Sequence, residues 1–540
     1  MHLPRRSQSY CVLGIACMLF VLLGSAWALA AEAVPAAKPE TPADVKPEAA
    51  YGKTHPCAGA GKWFPADAAE LRKAVEAVTQ GEPMPLAQAP TVLIVPHAGY
   101  QFSGPVAGRA MLTVKGRSYK RVILMGPSHQ APVKGASVLR TVESFETPLG
   151  SIPVDTEVRD ALLKSPSVSE QPAAHKNEHS VENQLPFLQV MLKDFKMVEL
   201  LVGEMSASDR TALADLLRPF VDNQTLLVVS SDFTHYGEAY RYTPWKWRVP
   251  ENLKELNDAA SGRILQVDVG GLDKYLADTH DTICGAAAIG LALQIMAPME
   301  DIQPMKLAFD MSGRKTNDYT NSVTYASFMF WRSGSGLNEA EQKTLLKLAR
   351  DAAEGFLKTQ QAPKLDEKAY DLTPALKGPG AAFVTLKIKG DLRGCIGHVV
   401  AQMPLTTSVV QNACQACVDP RFTKNPLSVK DLPDLSIEIS VLSAMRRVTD
   451  PQKIQVGRDG LVISRGNNRG LLLPQVAGEQ KWDRDAFLVG ACKKAGLPDD
   501  AWKDAATEIY RFTAQVFADA KAEEKKPDEK KPDEKKPADK

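Results

Sequence analysis

TVLIVPHAGYQFSG, residues 91–104, is the stretch from which the rest of the chain is read. Thr91 to Val95 are β-branched or apolar, which suits a strand buried on both faces. The run stops at Pro96, and His97 and Gly99 follow at once. A buried strand ending in Pro-His-Ala-Gly delivers an imidazole to the sheet edge, where open α/β sheets place their ligands. Taken alone, the motif fits a hydrogen-bonded structural histidine in a turn equally well. Recurrence shifts the balance. YKRVILMGPSHQ ends a second apolar run in Gly126, Pro127 and His129, and TLLVVSSDFTHYG ends a third in Ser230, Asp232 and His235.

Helical patterns alternate with these runs, at residues 66–78, 106–114, 157–163 and 209–221. EHSVENQLPFLQVML places Glu178 and His179 ahead of an amphipathic helix, and MVELLVG reads as a further strand. DTHDTICGAAAIGLALQIM sets His280 and Cys284 just before an apolar helix, and MKLAFD and SVTYASFMFW close the region as strands. Strands alternating with helices predict an α/β layer architecture. The candidate ligands are His97, His129, Asp232, His235 and Cys284, with His179 and Glu178 nearby in kind. Six of the nine histidines fall in these few segments (97, 129, 175, 179, 235 and 280). Two imidazoles with a thiolate or carboxylate form the set that holds Fe(II), Cu or Zn and leaves a position open. Mg and Ca fit poorly, because they prefer all-oxygen cages. A Cys284–His–Asp232 nucleophilic triad is the non-metal alternative, and geometry decides between them.

With 540 residues the chain is too long for one core, and a prior of roughly 100–200 residues per domain predicts two to four. A net charge of +1 points to neither nucleic acid nor an anionic membrane surface as partner. Eight cysteines in so long a chain do not make a disulfide scaffold. Arg5 and Arg6 precede an apolar run that ends at Ala28-Leu29-Ala30, so residues 1–30 read as a secretory signal peptide. The expectation is an exported protein, periplasmic or extracellular; an uncleaved signal anchor is the one route to a membrane. Residues 31–50 read as a disordered tether. Residues 519–540, with their KKPDE repeats, read as a disordered tail.

The first domain spans 51–331, and RSGSG lies in a linker at 332–337. A second unit, 338–518, opens with a helix at 339–357 and continues through a strand at 381–388 to DLRGCIGHV. Two glycines bracket Cys395 there, which lets backbone approach and leaves the thiol exposed as a candidate nucleophile or redox group. Cys414 and Cys417 form a C-x-x-C within the predicted helix 405–417, for which core packing is favoured over a disulfide or thioredoxin-like chemistry.

The segments GKWFPAD, PHAGYQFSG, GPSHQ, EHSVENQLPFL, SSDFTHYG and DTICGAAAIG resemble the Memo family, called AmmeMemoRadiSam system protein B in prokaryotes. LRGCIG, DPRF, GRDGLVI, LLLPQV and YRFTAQVF, in that order, resemble the Ammecr family, system protein A. The resemblance implies a LigB-type extradiol-dioxygenase-like domain followed by a smaller α/β domain. It places the metal ligands on His97, His129 and Cys284, with Asp232 and His235 lining the same pocket as catalytic groups. Fe(II) is the metal it implies first and Cu second, with a dioxygenase-like or redox role on an unknown small molecule or peptide and a radical-SAM system partner. GPSHQ carries Gln130 where many members have a second histidine, and the Arg-His pair that some members carry after the cysteine is absent. Two other readings stay open: a non-catalytic metal- or peptide-binding scaffold, and a hydrolase with Cys284 or Cys395 as nucleophile.

Overall fold

The central strands are apolar along most of their length because each feeds two cores. Strands β1 (Pro90–Val95), β2 (Arg121–Gly126), β3 (Lys196–Val202) and β4 (Thr225–Ser230) are parallel neighbours in the order β1-β4-β2-β3. Val92, Ile94, Ile123, Met125, Leu227 and Val229 pack into one buried cluster. The alternate residues Leu93, Val95, Val122, Leu124, Leu226 and Val228 pack into another on the opposite face. This two-sided burial is what a parallel sheet requires. The computed structural model describes residues 52–364 and 366–519. The segments read as signal and tether, and all of the repeat tail but Asp519, lie outside the described residues. No helix among the described residues is long and apolar enough to cross a membrane.

The sheet has nine strands. Beside β1 lies β5 (Asn321–Arg332), antiparallel to it, flanked in turn by the antiparallel strand Ile302–Met311 and the short strand His235–Gly237. The α/β class expected from the alternation is the class observed. One helix begins earlier than its sequence pattern suggests: α1 (Tyr100–Met111) runs straight through Pro105. Proline has no N–H to give the carbonyl four residues back. Here the carbonyl of Gln101 accepts instead from Nζ of Lys315 at 2.6 Å, a partner more than 200 residues away. The helix expected at 209–221 is α-helical only over Ala207–Leu217 and tightens into a 3₁₀ turn, Arg218–Phe220, at Pro219. A short apolar helix, α2 (Ala286–Met296), follows Cys284.

The second domain opens with α3 (Glu339–Thr359), whose capping box joins Asn338 and Glu341. Strands β6 (Ala381–Ile388), β7 (Asp391–Gly397), β8 (Leu435–Leu442) and β9 (Glu508–Ala518) form an antiparallel sheet in the order β7-β6-β8-β9, extended by Asp459–Arg465 and Asn468–Leu472. Helix α4 (Leu405–Cys417) and α3 cover one face through Leu348, Ala352, Val409 and Ala413. Cys414 and Cys417 are free thiols buried in this core, and Cys417 Sγ donates to the Ala413 carbonyl at 3.3 Å. That is the packing role favoured from sequence. Ion pairs Arg263–Glu508 (2.7 Å) and Arg511–Glu300 (2.6 Å), with a buried Arg446 donating to the Met299 carbonyl at 2.7 Å, tie the second domain to the first.

Candidate metal centre

Three adjacent parallel strands, β1, β4 and β2, end side by side, and their carboxyl ends carry His97, Ser230 to Asp232, and His129. Ligand atoms of His97, His129 and Cys284 all lie within 4.8 Å of one another. Cys284 reaches the group from the turn before α2. A Cβ on Gly285 would sit 2.5 Å from Ser231 Cβ and 2.8 Å from the Ser230 carbonyl, so only glycine lets this turn close on β4.

The hydrogen bonds fix which nitrogen of each imidazole is free. Ser230 Oγ donates its one proton to the Ser180 carbonyl and accepts from Nε2 of Gln184 at 2.9 Å. It can therefore only accept from Nδ1 of His97, 3.0 Å away. His97 is held as the Nδ1–H tautomer, and its Nε2 lone pair faces Cys284 Sγ at 3.3 Å. On His129, Nδ1 donates to Glu178 Oε1 at 3.0 Å, which again leaves Nε2 free. His235 repeats the pattern, with Nδ1 donating to the Thr282 carbonyl at 3.0 Å while its backbone N–H donates to Thr282 Oγ1 at 2.7 Å. Three imidazoles thus share one tautomer, each set by a different partner.

Glu178 is an orienting group. Besides the His129 ring it accepts the backbone N–H groups of His129, His179 (2.8 Å) and Ser180 (2.7 Å). Burial alone would raise its carboxyl; the hydrogen bond from the His129 ring, the charge that ring carries when protonated, and the two backbone donors outweigh that and hold it at about 2. Glu178 also groups closely with His129 and His179, yet Oε1, the oxygen that faces both rings, already takes three donors. His179 stacks on Trp63, with ring centroids 4.0 Å apart and planes 7° from parallel. Burial and the neighbouring His97 and His129 depress His179 to about 3, and burial and His129 push His97 well down.

Asp232 uses Oδ1 to accept the backbone N–H groups of His97 (2.8 Å) and Ala98 (3.3 Å). Its carboxyl is raised by burial, against the opposing pull of His235. Its backbone N–H donates to Cys284 Sγ at 3.2 Å. Burial, then the Asp232 charge, push the Cys284 thiol up. A nucleophilic triad needs the acid on the histidine ring and a thiol that ionises readily. Here the ring partner of His97 is Ser230, and the thiol is held protonated.

The residues fit a metal ion. Neutral imidazoles and a sulfur are the donors that a borderline cation prefers, and a bound cation deprotonates such a thiol outright. With bonds of about 2.0 Å to nitrogen and 2.3 Å to sulfur, a tetrahedral angle separates the two donors by roughly 3.6 Å. The 3.3 Å between His97 Nε2 and Cys284 Sγ is close to that span.

Cys395 belongs to the second domain and its contacts stay there. It lies on β7, the sheet edge, opposite Thr385, whose Oγ1 donates to Sγ at 3.3 Å. Its outward backbone groups are clamped by the DPRF turn: its N–H donates to Asp419 Oδ2 at 2.9 Å, and Arg421 Nη2 donates to its carbonyl at 2.8 Å. Arg421 and two backbone donors outweigh burial and hold the Asp419 carboxyl at about 2. Sequence reasoning singled out both motifs without seeing that one caps the edge of the other. It also assigns no role to Ser230, Gln184 and Thr282, whose roles exist only through partners distant in sequence.

The model of the Memo-like protein family matches residues 55–329, about half the chain, and the AMMECR1 model matches residues 346–517. The chain belongs to the Memo-like family. It is a fusion of a Memo-like domain with an AMMECR1 domain. A protein of Methanothermobacter thermautotrophicus is 42% identical over 188 residues, which is 34% of this chain and 95% of the relative. One from Thermofilum pendens is 38% identical over 200 residues, 34% of this chain and 92% of its own. The crystal structure of an uncharacterized protein from Pyrococcus horikoshii is similar at 39% identity with a TM-score of 0.31, covering 33% of this chain and 90% of that one. An uncharacterized Escherichia coli protein aligns at 14% identity and a TM-score of 0.30, covering 44% and 98%.

Proposed function

We propose that the Memo-like domain binds one redox-active transition metal through His97, His129 and Cys284, with Fe(II) the first choice and Cu the second. The reading rests on one observation above the others: His97 and His129 are both locked with Nδ1 protonated and Nε2 free beside the Cys284 sulfur. When bound, the metal supplies a Lewis-acidic, redox-active centre with a coordination position left open.

The chain's own groups supply the rest. His235 keeps Nδ1–H on the Thr282 carbonyl, so Nε2 is the atom that takes a proton from a substrate. Asp232 holds the backbone of His97 in place and presents one remaining oxygen as an acid or base. Trp63, stacked on His179, keeps that imidazole flat against the wall. This supports dioxygenase-like or other redox chemistry on a small molecule or peptide, in an exported chain that works with a radical-SAM enzyme. Anaerobic, iron-supplemented purification of the full chain should yield about one metal per chain, lost in His97→Ala. Metal-free wild-type protein would defeat the reading. Metal binding with no oxygen consumption across catechols and modified peptides would leave the scaffold alternative in its place.

A further inference from the structure

Beside Glu178, the residue that orients His129, the Memo-like domain has a small cavity. It holds about 10 Å³ of room for a water-sized sphere, and the buried Glu178, Glu182 and Glu199 line it together with His55 and the half-exposed Glu146. About 10–15 Å³ is what one water requires. Two of the three buried carboxylates are already satisfied. Glu178 carries the donors described above. Glu182 accepts the N–H groups of Gly59 (2.5 Å) and Ala58 (3.0 Å) and the thiol of Cys57 (3.2 Å).

Glu199 is the exception. It interrupts β3, where all its neighbours on the strand from Met197 to Val202 are buried and apolar, and it is itself 4% exposed. Oε1 lies 3.4 Å from Nδ1 of His175, a histidine with no exposure, whose Nε2 meets Ser137 Oγ at 2.8 Å. Oε2 has no hydrogen-bond partner among the described residues. A buried carboxylate oxygen without a donor is costly enough that native structures supply one, commonly a water. A metal ion does not fit the gap. Only two groups of side chains among the described residues converge tightly enough to hold one, and Glu199 is in neither.

We infer that this cavity is the site of one internal water, and that through it Glu199 is a positioning residue for the metal ligand His129. The water donates one hydrogen to Glu199 Oε2 and the other to the Glu178 carboxylate. The support of His129 then runs three layers deep, from Glu178 through the water to Glu199, with His175 and Ser137 behind. Partners behind a metal ligand typically change affinity by 10–100-fold when removed.

The inference rests on the proposed metal site, so the experiment separates the two. The full chain is titrated with Co(II) as wild type, Glu199→Leu and Glu199→Gln, and the wild type is crystallised at a resolution that shows ordered water. Glu199→Leu should weaken Co(II) by about 10–100-fold and shift the visible d–d bands, which report ligand geometry rather than stability. Glu199→Gln, which keeps an oxygen toward the water, should retain most of the affinity. An empty cavity overturns the inference. So does unchanged Co(II) affinity in Glu199→Leu, or a loss that merely follows a lower melting temperature of the metal-free variant with unshifted bands. Should wild type itself fail to bind Co(II), the metal reading falls. The inference then stands if a water bridges Glu178 and Glu199 and the His129 ring turns in Glu199→Leu, and falls if either is missing.

Discussion

Glu178→Gln is the substitution that the structure penalises most specifically. The carboxylate receives four donors: the His129 ring, and the backbone N–H groups of His129, His179 and Ser180. An amide has one oxygen, and its NH₂ must face at least one of those N–H groups, leaving a buried donor unsatisfied at about 1–3 kcal/mol. If the NH₂ faces the His129 ring, Nδ1 must become the acceptor, the proton moves to Nε2, and the ligand atom is lost. There is a pH signature as well. The folded carboxyl sits at about 2 against an ordinary value of 4.5, a gap worth roughly 3 kcal/mol. Because the folded value is depressed, this stability is present above the unfolded value and is lost as pH falls through the folded one. Urea unfolding of metal-free wild type and Glu178→Gln should therefore show a stability gap that is largest near neutrality. It should narrow by close to 1 kcal/mol by pH 4 and by about 2 kcal/mol by pH 3. Metal affinity in the variant should fall at least 10–100-fold. A gap that does not change from pH 6 to pH 3, together with retained metal, would refute the reasoning.

Other substitutions test other joints of the account. Gly285→Ala puts a methyl 2.5 Å from Ser231 Cβ, and should cost about 1–3 kcal/mol in denaturant unfolding while displacing Cys284 and weakening the metal. Unchanged stability would mean that the turn is not closed on β4. Lys315→Met leaves the Gln101 carbonyl without its distant donor, and should lower stability by about 1 kcal/mol and speed amide exchange in the first turns of α1. In the AMMECR1 domain, Arg421→Ala releases the clamp on β7 and should raise the rate at which a thiol reagent labels Cys395, whereas Cys414 and Cys417 should stay unlabelled until the chain unfolds.

The parts of this fold that could be read in the sequence are those set by local pattern. Runs such as TVLIV must be buried on both faces, and a proline after the run ends the strand and exposes the next side chain at the sheet's carboxyl edge. That logic placed His97, His129 and Asp232 at strand ends, and the adjacency of β1, β4 and β2 then brings them together. The strand order itself depends on crossovers that no local signal carries. The sequence pattern starts a helix at residue 106, whereas α1 begins at Tyr100 and runs through Pro105, with Lys315 donating to the carbonyl that the proline cannot serve. The tautomers were out of reach for the same reason: Ser230 matters through Ser180 and Gln184, and a lone serine at a strand end says nothing of either. Glu199 was visible as a charge inside MVELLVG, yet its meaning needs the cavity beside it.

X-ray absorption at the iron edge of the anaerobically Fe(II)-loaded full chain tests the central claim most directly, because the sulfur ligand is its most distinctive feature. The account predicts one sulfur at about 2.3 Å with two imidazole nitrogens, and loss of the sulfur alone in Cys284→Ser. Iron bound with only nitrogen and oxygen neighbours in the wild type would contradict it.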